Sequence, residues 1–148
     1  MKLTVKNIRS CQGMEGEAYS CTLYVDGKRA ATAQNAGDGG ETRIHFTDPK
    51  VRDAVYAYAK QHEDYEYMGD SEAWSVQTTL EMLIAKLVDD KAVEKQLKGW
   101  CRTQTLFRTD DMPEGEYRTI RAKYSPSVAA HINRVAPGAT IVNEQFVN

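Results

Sequence analysis

Apolar and polar residues alternate along most of the first 46 positions, which is the pattern of β-strands with one buried face. The alternation predicts four strands, over residues 2–9, 17–26, 28–35 and 41–46. In the second strand, Cys21 and Leu23 share the more apolar face, which we expect to point into the core. Asp26-Gly27 separates the second and third strands and predicts a two-residue hairpin turn, because such turns need the positive φ that glycine tolerates.

From residue 48 onwards, apolar residues recur at intervals of three and four, which predicts helices. Asp48-Pro49 predicts the start of the first helix, since aspartate caps a helix and proline suits its first position. A second, longer helix is predicted to begin at a cap on Ser71 or Ser75 and to run to about Lys98. Its apolar positions are Val76, Leu80, Leu83, Ile84, Leu87, Val88 and Leu97.

The remaining segments predict a loop, three strands and one helix. Residues 61–71 are polar, acidic and aromatic and predict a loop between the first two helices. Residues 100–108 and 117–124 predict a second pair of strands, and residues 139–147 predict a final strand. Ser125-Pro126 predicts the start of a third helix. The inward positions of that helix are Val128, Ile132 and Val135.

The predicted order of elements, β-β-β-β-α-α-β-β-α-β, has no strict alternation of strands and helices. It predicts an α+β fold with a mainly antiparallel sheet, a long central helix and two shorter helices packed on it. The chain has 148 residues, of which 41% are hydrophobic and 27% are charged. These values suit an ordinary globular core, and we expect a single domain over residues 1–148.

Charge and cysteine content narrow the surroundings in which the protein works. The net charge is −2, so we expect no general attraction to nucleic acid, and residues 47–99 are acidic, with 7 Lys/Arg against 11 Asp/Glu. The three cysteines lack regular spacing, which argues against a disulfide framework, although a Cys11–Cys21 bridge stays open. Met1-Lys2 leads directly into a strand, so we expect no signal peptide. The longest apolar stretches are far shorter than the about 20 residues of a membrane span, so we expect no span and a cytoplasmic location.

Gly37, Gly39 and Gly40 form a cluster around Asp38. Their spacing does not match a dinucleotide-binding fingerprint, and a strand rather than a helix follows them. The chain also lacks the Gly-Lys-Ser/Thr sequence of a phosphate loop. We interpret the cluster as a flexible connector, with the alternative that it forms one edge of a partner-binding surface.

The sequence contains no pattern typical of a catalytic site. Cys101 has no histidine close to it in sequence, and no Gly-x-Ser-x-Gly elbow occurs. His45, His62 and His131 are isolated from one another and from cysteine pairs, which disfavours a metal site. We therefore predict a protein that is not an enzyme and that has no metal and no cofactor.

Aromatic and acidic residues concentrate between Tyr56 and Trp74. Tyrosine and tryptophan dominate the energetic hot spots of protein interfaces, and carboxylates can present a nucleic-acid-like charge pattern to a basic partner. The alternative is that these rings only cover one edge of the core. The predicted partner-binding residues are Asp38, Gly39, Glu63, Asp64, Tyr65, Glu66, Tyr67 and Trp74.

Five basic residues lie on the second predicted pair of strands. Arg102 and Arg108 share parity, so we expect both on one side of their strand. The acidic link between the strands would repel a nucleic-acid backbone, and cross-strand pairing of arginine with glutamate is a structural alternative. As a second candidate site, for a nucleotide second messenger or nucleic acid, we name Arg102, Arg108, Arg118, Arg121 and Lys123.

Two stretches of the chain resemble small uncharacterised phage and prophage proteins. They are Asp26-Gly27-Lys28 with residues 35–40, and residues 105–108 with residues 116–120. The resemblance implies a phage accessory protein, and many such proteins counter host defences; it carries no functional residues across. The expected function is thus non-catalytic binding that inhibits or modulates a host defence protein, as an anti-CRISPR does. The alternatives are a nucleotide-binding sponge and a nucleic-acid binder, and a homodimer stays open.

Overall fold

The computed structural model describes residues 1–68 and 73–147. The α+β prediction is confirmed, because the described residues form three α-helices and a mainly antiparallel set of strands. Contacts between Cα atoms divide the chain into two compact units, Met1–Asp90 (unit 1) and Lys91–Asn148 (unit 2). The single domain over residues 1–148 stays a prediction, and the two units are described separately.

Unit 1 is built on a four-stranded antiparallel sheet with the strand order β1-β2-β3-β4. Its strands are β1 (Leu3–Gln12), β2 (Glu17–Val25), β3 (Lys28–Asn35) and β4 (Arg43–Phe46). The helix α1 (Pro49–Lys60) follows, then a hairpin of β5 (Tyr65–Met68) and β6 (Ala73–Val76). The helix α2 (Leu80–Cys101) begins in unit 1 and ends in unit 2.

Local sequence signals place the first turn and the first helix as predicted. Asp26 and Gly27 have φ values of 49° and 81°, which is the two-residue turn with positive φ at both positions. The Lys2 amide donates to Asp26 Oδ1 at 2.8 Å, so the turn also holds the start of β1. Asp48 caps α1, because its Oδ1 accepts from the Lys50 amide at 2.8 Å.

The core of unit 1 lies between one face of the sheet and the two helices. Cys21 and Leu23 are buried there, as predicted. The other buried residues of this core are Val5, Ala31, Ala33, Val55, Ala59, Leu80, Ile84 and Val88. The prediction of Val76 as a core position of the long helix is wrong, since Val76 lies in β6 and is 41% exposed.

The start of α2 differs from the prediction. Ser75 lies in β6 and does not cap the helix, while Ser71 lies outside the described residues. The helix begins four residues later than Val76, and the Met82 amide donates to Thr79 Oγ1 at 3.3 Å. Residues 73–76 form a strand and not the first turn of α2 because they pair with β5. The spacing of apolar residues within one segment gives no information about such a pairing.

A β-bulge in β1 changes which side chains lie on the open face of the sheet, opposite the helices. The partners of Lys6 and Arg9 on β2 are two residues apart, so β1 has one extra residue between them. Asn7 has a φ of 55° at this bulge. Ile8 thereby packs against the core, and Arg9 joins Lys6 on the open face.

The prediction of a loop over residues 61–71 is wrong, because β5 lies within it. Tyr65 pairs with Val76 and Glu66 pairs with Ser75, in an antiparallel two-stranded sheet. The sequence signal for a strand was the alternation Tyr-Glu-Tyr-Met, which has period two. Residues 69–72, including Asp70 and Glu72, lie outside the described part of the chain.

Unit 2 combines the end of α2 with a three-stranded antiparallel sheet and two further helical segments. The strands are β7 (Thr105–Arg108), β8 (Arg118–Ile120) and β9 (Thr140–Ile141), in the order β8-β7-β9. The helix α3 (Pro126–Val135) starts as predicted, with Ser125 Oγ accepting from the Val128 amide at 3.2 Å. A 3₁₀ helix (Val142–Phe146) follows β9.

Three predicted strands in unit 2 are shorter than expected. Residues 100 and 101 belong to α2, so the strand over residues 100–108 begins only at Thr105. The strand over residues 117–124 reduces to β8, and the final strand over residues 139–147 reduces to β9. Val135, predicted to face inward, is 61% exposed, whereas Ile132 is fully buried.

The buried side chain of Asn143 accounts for the shortened final strand. Its Nδ2 donates to the Cys101 carbonyl at 3.3 Å and to the Gln104 carbonyl at 2.9 Å, and its Oδ1 accepts from the Leu106 amide at 2.9 Å. These bonds satisfy backbone groups at the end of α2 and the start of β7, which have no partner within their own elements. The chain after β9 therefore turns into the interior instead of continuing the sheet.

Candidate functional site

The glycine loop (residues 36–41) lies between β3 and β4 and is held by hydrogen bonds. The Gly37 amide donates to Asn35 Oδ1 at 2.8 Å, and the Gly40 amide donates to Asp38 Oδ1 at 3.0 Å. In these two side-chain turns the amides donate to side-chain oxygens of the loop itself, so they are not available to donate to a bound anion. The expected flexible connector is therefore an anchored loop in the structure.

The backbone of Gly37 also touches the turn between β1 and β2. Its carbonyl accepts from the Glu15 amide at 2.8 Å, and its φ is 67°. A Cβ at this position would lie 2.8 Å from both the Gly16 carbonyl oxygen and the Ala18 amide nitrogen. Glycine is required here by conformation and by space, and the loop is fixed to the sheet.

The glycine loop forms one wall of a polar groove of about 640 Å³ on the open face of the sheet. A row across all four strands lies along it: Arg9, Ser20, Gln34 and Arg43. Asp38 and Glu41 line it from the loop. The two arginine charges are balanced by the two carboxylates, so the groove suits a polar group without net charge better than a polyanion. The sequence prediction missed both arginines. The signal for Arg9 was that the apolar positions of β1 change from odd numbers (Val5) to an even number (Ile8), which indicates a bulge and moves Arg9 to the open face.

The three cysteines are free and differ in their surroundings. Cys11 is exposed on the groove, and Cys21 is buried on the opposite face of the sheet, so the Cys11–Cys21 bridge is absent. Burial raises the pKa of the Cys21 thiol and that of the Cys101 thiol. Both thiols hold less of the nucleophilic thiolate as a result.

We expect iodoacetamide at neutral pH to alkylate Cys11 well before Cys21 or Cys101. Cys11 is accessible, while burial and a raised pKa protect the other two thiols. Time-resolved mass spectrometry of the intact protein checks this result. The Cys11→Ser variant should lose the fast phase, and a fast phase that persists in this variant would contradict the placement of the thiols.

The acidic hairpin (residues 63–66 with β6 and Thr78) carries five of the predicted partner-binding residues, one of which, Trp74, lies in β6. Glu63, Asp64, Tyr65 and Glu66 are all exposed, and Tyr65 faces Val76 across the two strands. Thr78 Oγ1 donates to the Glu63 carbonyl at 2.6 Å and closes the base of the hairpin. A two-stranded sheet is marginally stable by itself, so a partner surface that covers this hairpin would stabilise it.

The glycine loop and the acidic hairpin start at opposite ends of the sheet. His62, just before the hairpin, shares a cleft with Leu3, whose partner on β2 is Val25 beside the first turn. The glycine loop lies at the other end of β3. Asp38 and Gly39 thus belong to a surface separate from the base of the hairpin.

Tyr67 and Trp74 are paired along the backbone of β5 and β6.

The predicted basic site divides in the structure. Arg102 and Lys123 line one cleft of about 460 Å³, together with Lys98. Arg108 is half-buried, and its Nη2 donates to the Met112 carbonyl at 3.1 Å. The prediction that Arg102 and Arg108 share a strand face is wrong, because Arg102 lies in the turn after α2.

Arg118 and Arg121 are exposed and do not line this basic cleft. The sequence prediction missed Lys98, although it lies four residues before Arg102, a spacing that places two side chains on one side of a helical segment. It missed Phe146 as well, since that residue was expected in a strand. Lys98 Nζ lies 5.5 Å from the centre of the Phe146 ring.

Two findings concern the described residues as a whole. Within residues 1–68 and 73–147, no three His, Cys, Asp or Glu side chains lie close enough to hold a metal ion. No helix in that part of the chain combines the length and the apolar character needed to cross a membrane.

Comparison with known proteins adds no relative. No protein-family model matches the chain, and no curated protein and no solved structure is significantly similar to it. The resemblance to phage accessory proteins therefore stays a prediction, based on the residues quoted for it.

Proposed function

We propose that this protein is a non-catalytic binding protein that docks its acidic hairpin on a basic surface of a partner protein. The observation that carries the proposal is the exposed cross-strand pair of Tyr65, 53% exposed, and Val76, 41% exposed. Exposed carboxylates at Glu63, Asp64 and Glu66 lie next to Tyr65 along the chain. Exposed apolar side chains close to charged ones are typical of a protein interface with an apolar centre and a polar rim.

The two parts of this surface act on different steps of binding. Covering the apolar pair removes apolar area from water, which contributes about 25 cal/mol per Å². The carboxylates attract a basic partner and orient it, which raises the association rate. Unit 1 as a whole carries 10 Lys/Arg and 15 Asp/Glu, a net charge of −5, so its long-range field favours the same kind of partner.

The partner we propose is a host protein, specifically a defence protein of the kind that anti-CRISPR proteins inhibit. The resemblance of residues 26–28 with 35–40, and of residues 105–108 with 116–120, to phage accessory proteins supports this part of the proposal. A protein that acts on nucleic acid exposes a basic surface for it, and an acidic hairpin can occupy such a surface.

We expect the triple variant Glu63→Lys, Asp64→Lys, Glu66→Lys to retain at least about tenfold less of the partner that the wild-type chain captures from a bacterial lysate. The charge reversal turns attraction into repulsion, and exposed positions should leave the fold intact. Quantitative mass spectrometry of proteins retained by the immobilised chain measures the change, and circular dichroism checks the fold.

The matched control is Asp110→Lys, Glu114→Lys, Glu116→Lys, which changes the net charge equally at exposed positions of unit 2. Capture should persist in this control. A second variant, Tyr65→Ala with Val76→Ala, should also lose the partner, because it removes the apolar pair and keeps every carboxylate. Equal capture by the wild type and the hairpin variants would reject the proposal.

A further inference from the structure

Unit 2 has the opposite charge to unit 1. It carries nine Lys/Arg and six Asp/Glu, a net charge of +3. Three of its cations, Lys98, Arg102 and Lys123, come from two separate parts of the chain and line a single cleft. The cleft also has aromatic side chains, from Tyr124 and Phe146.

We infer that this basic cleft binds a nucleoside phosphate, with the phosphate on the cations and the base against the aromatic rings. The inference does not depend on the function proposed above, since the acidic hairpin belongs to unit 1. It also differs from the site expected from the sequence, because Arg108, Arg118 and Arg121 do not line the cleft.

The charges of Arg102 and Lys123 are available to a ligand. Within the described part of the chain, neither side chain forms a hydrogen bond or an ion pair, and both residues are exposed. Lys98 is shared with Glu94, whose Oε1 lies 2.9 Å from Lys98 Nζ. The planar fork of arginine matches two oxygens of a phosphate, and lysine adds a mobile point charge.

The aromatic side of the cleft is held in place by its neighbours. Phe146 is half-buried and packs against the core formed by Leu97, Leu106 and Val142. Tyr124 is also half-buried. Aromatic faces stack on nucleobases whatever the base, at about 1–3 kcal/mol per base by alanine substitution in known complexes. The cleft thus combines the two chemistries that a nucleotide needs.

The size of the cleft, and exposed carboxylates elsewhere on unit 2, favour a small nucleotide over a long nucleic acid. The volume of about 460 Å³ lies in the range of about 300–1,000 Å³ that is usual for small-molecule sites. Exposed carboxylates on the link between β7 and β8 would repel the extended backbone of a polyanion. These carboxylates are Asp110, Asp111, Glu114 and Glu116.

Isothermal titration calorimetry of the full chain tests this inference with ATP, cyclic di-GMP and inorganic phosphate at one ionic strength. We expect at least one of the two nucleotides to bind at least about tenfold more tightly than inorganic phosphate, because only nucleotides use the aromatic rings. Arg102→Gln with Lys123→Gln should weaken nucleotide binding by about a hundredfold, or about tenfold for each lost phosphate contact.

The matched control is Arg121→Gln with Arg134→Gln, which removes two exposed charges of unit 2 outside the cleft. It should change the affinity by less than about threefold, as expected for screened surface charges. The inference is overturned if neither nucleotide binds, if both double variants weaken binding equally, or if inorganic phosphate binds as tightly as the nucleotides. Tighter binding of a single-stranded RNA than of either nucleotide would overturn it in favour of a nucleic-acid site.

Discussion

Replacing Asn143 with leucine is expected to lower the free energy of unfolding of unit 2 by about 3 kcal/mol, since a buried polar group left without its partner costs about 1–3 kcal/mol. The substitution removes three hydrogen bonds at once and leaves the Cys101 and Gln104 carbonyls and the Leu106 amide without that partner. Leucine has the same branched arrangement of side-chain heavy atoms and is somewhat larger, so the substitution leaves no cavity and the loss comes chiefly from the missing hydrogen bonds.

Urea denaturation followed by circular dichroism measures this effect, and hydrogen exchange of the Leu106 amide reports on it locally. Asn133→Leu is the matched control, because it makes the same chemical change at an exposed position of α3. We expect the control to stay within about 0.5 kcal/mol of the wild type, as surface substitutions usually do. Similar losses in both variants would show that Asn143 does not join α2 to β7.

Replacing Gly37 with alanine should destabilise unit 1 by about 3 kcal/mol, from two sources that add. A positive φ costs a residue with a Cβ about 1–2 kcal/mol. The Cβ would also lie 2.8 Å from two backbone atoms of the turn between β1 and β2. Backbone atoms of paired strands cannot move aside, and crowding of this kind costs about 1–3 kcal/mol.

Gly27→Ala separates the two sources. Gly27 has a φ of 81° in the first hairpin turn, but a Cβ there would meet no atom within 4 Å. We expect this variant to lose only the conformational part, about 1 kcal/mol. Equal losses in the midpoint of urea denaturation would mean that the close approach of Gly37 to the turn has no energetic effect.

The alkylation rate of Cys11 measures whether Gly37→Ala displaces the glycine loop beside the groove. The glycine loop forms a wall beside Cys11, so an alanine at position 37 that displaces the loop should change the alkylation rate of Cys11. Gly27→Ala should leave that rate unchanged, because the first turn lies at the other end of β2.

For the candidate sites, the sequence predicted the chemistry better than the geometry. The exposed residues 63–66 were named from their composition, yet the strand that presents them was expected to be a loop. Arg102 and Lys123 were named as basic residues, but their expected companions Arg108 and Arg118 lie elsewhere. Composition reports which groups are available, whereas a site also depends on which segments meet in space.

The sequence by itself determined the elements whose stability depends on neighbouring residues. The turn at Asp26-Gly27, the cap at Asp48 and the cap at Ser125 each involve bonds or dihedral angles within a few positions of the signal. The strand β3 has the bounds predicted for it, since alternation and its two flanking turns define it. Such signals need no knowledge of the rest of the chain.

Only the tertiary structure decided where distant segments meet. Arg9 reaches the open face because a bulge keeps Ile8 on the core, and Asn143 ends the last strand because it bonds to backbone groups about forty residues earlier. The energy of these contacts comes from burial and from polar groups paired across long separations in sequence. A pattern in one segment has no information about its partner, so the groove and the basic cleft emerge only when the chain is folded.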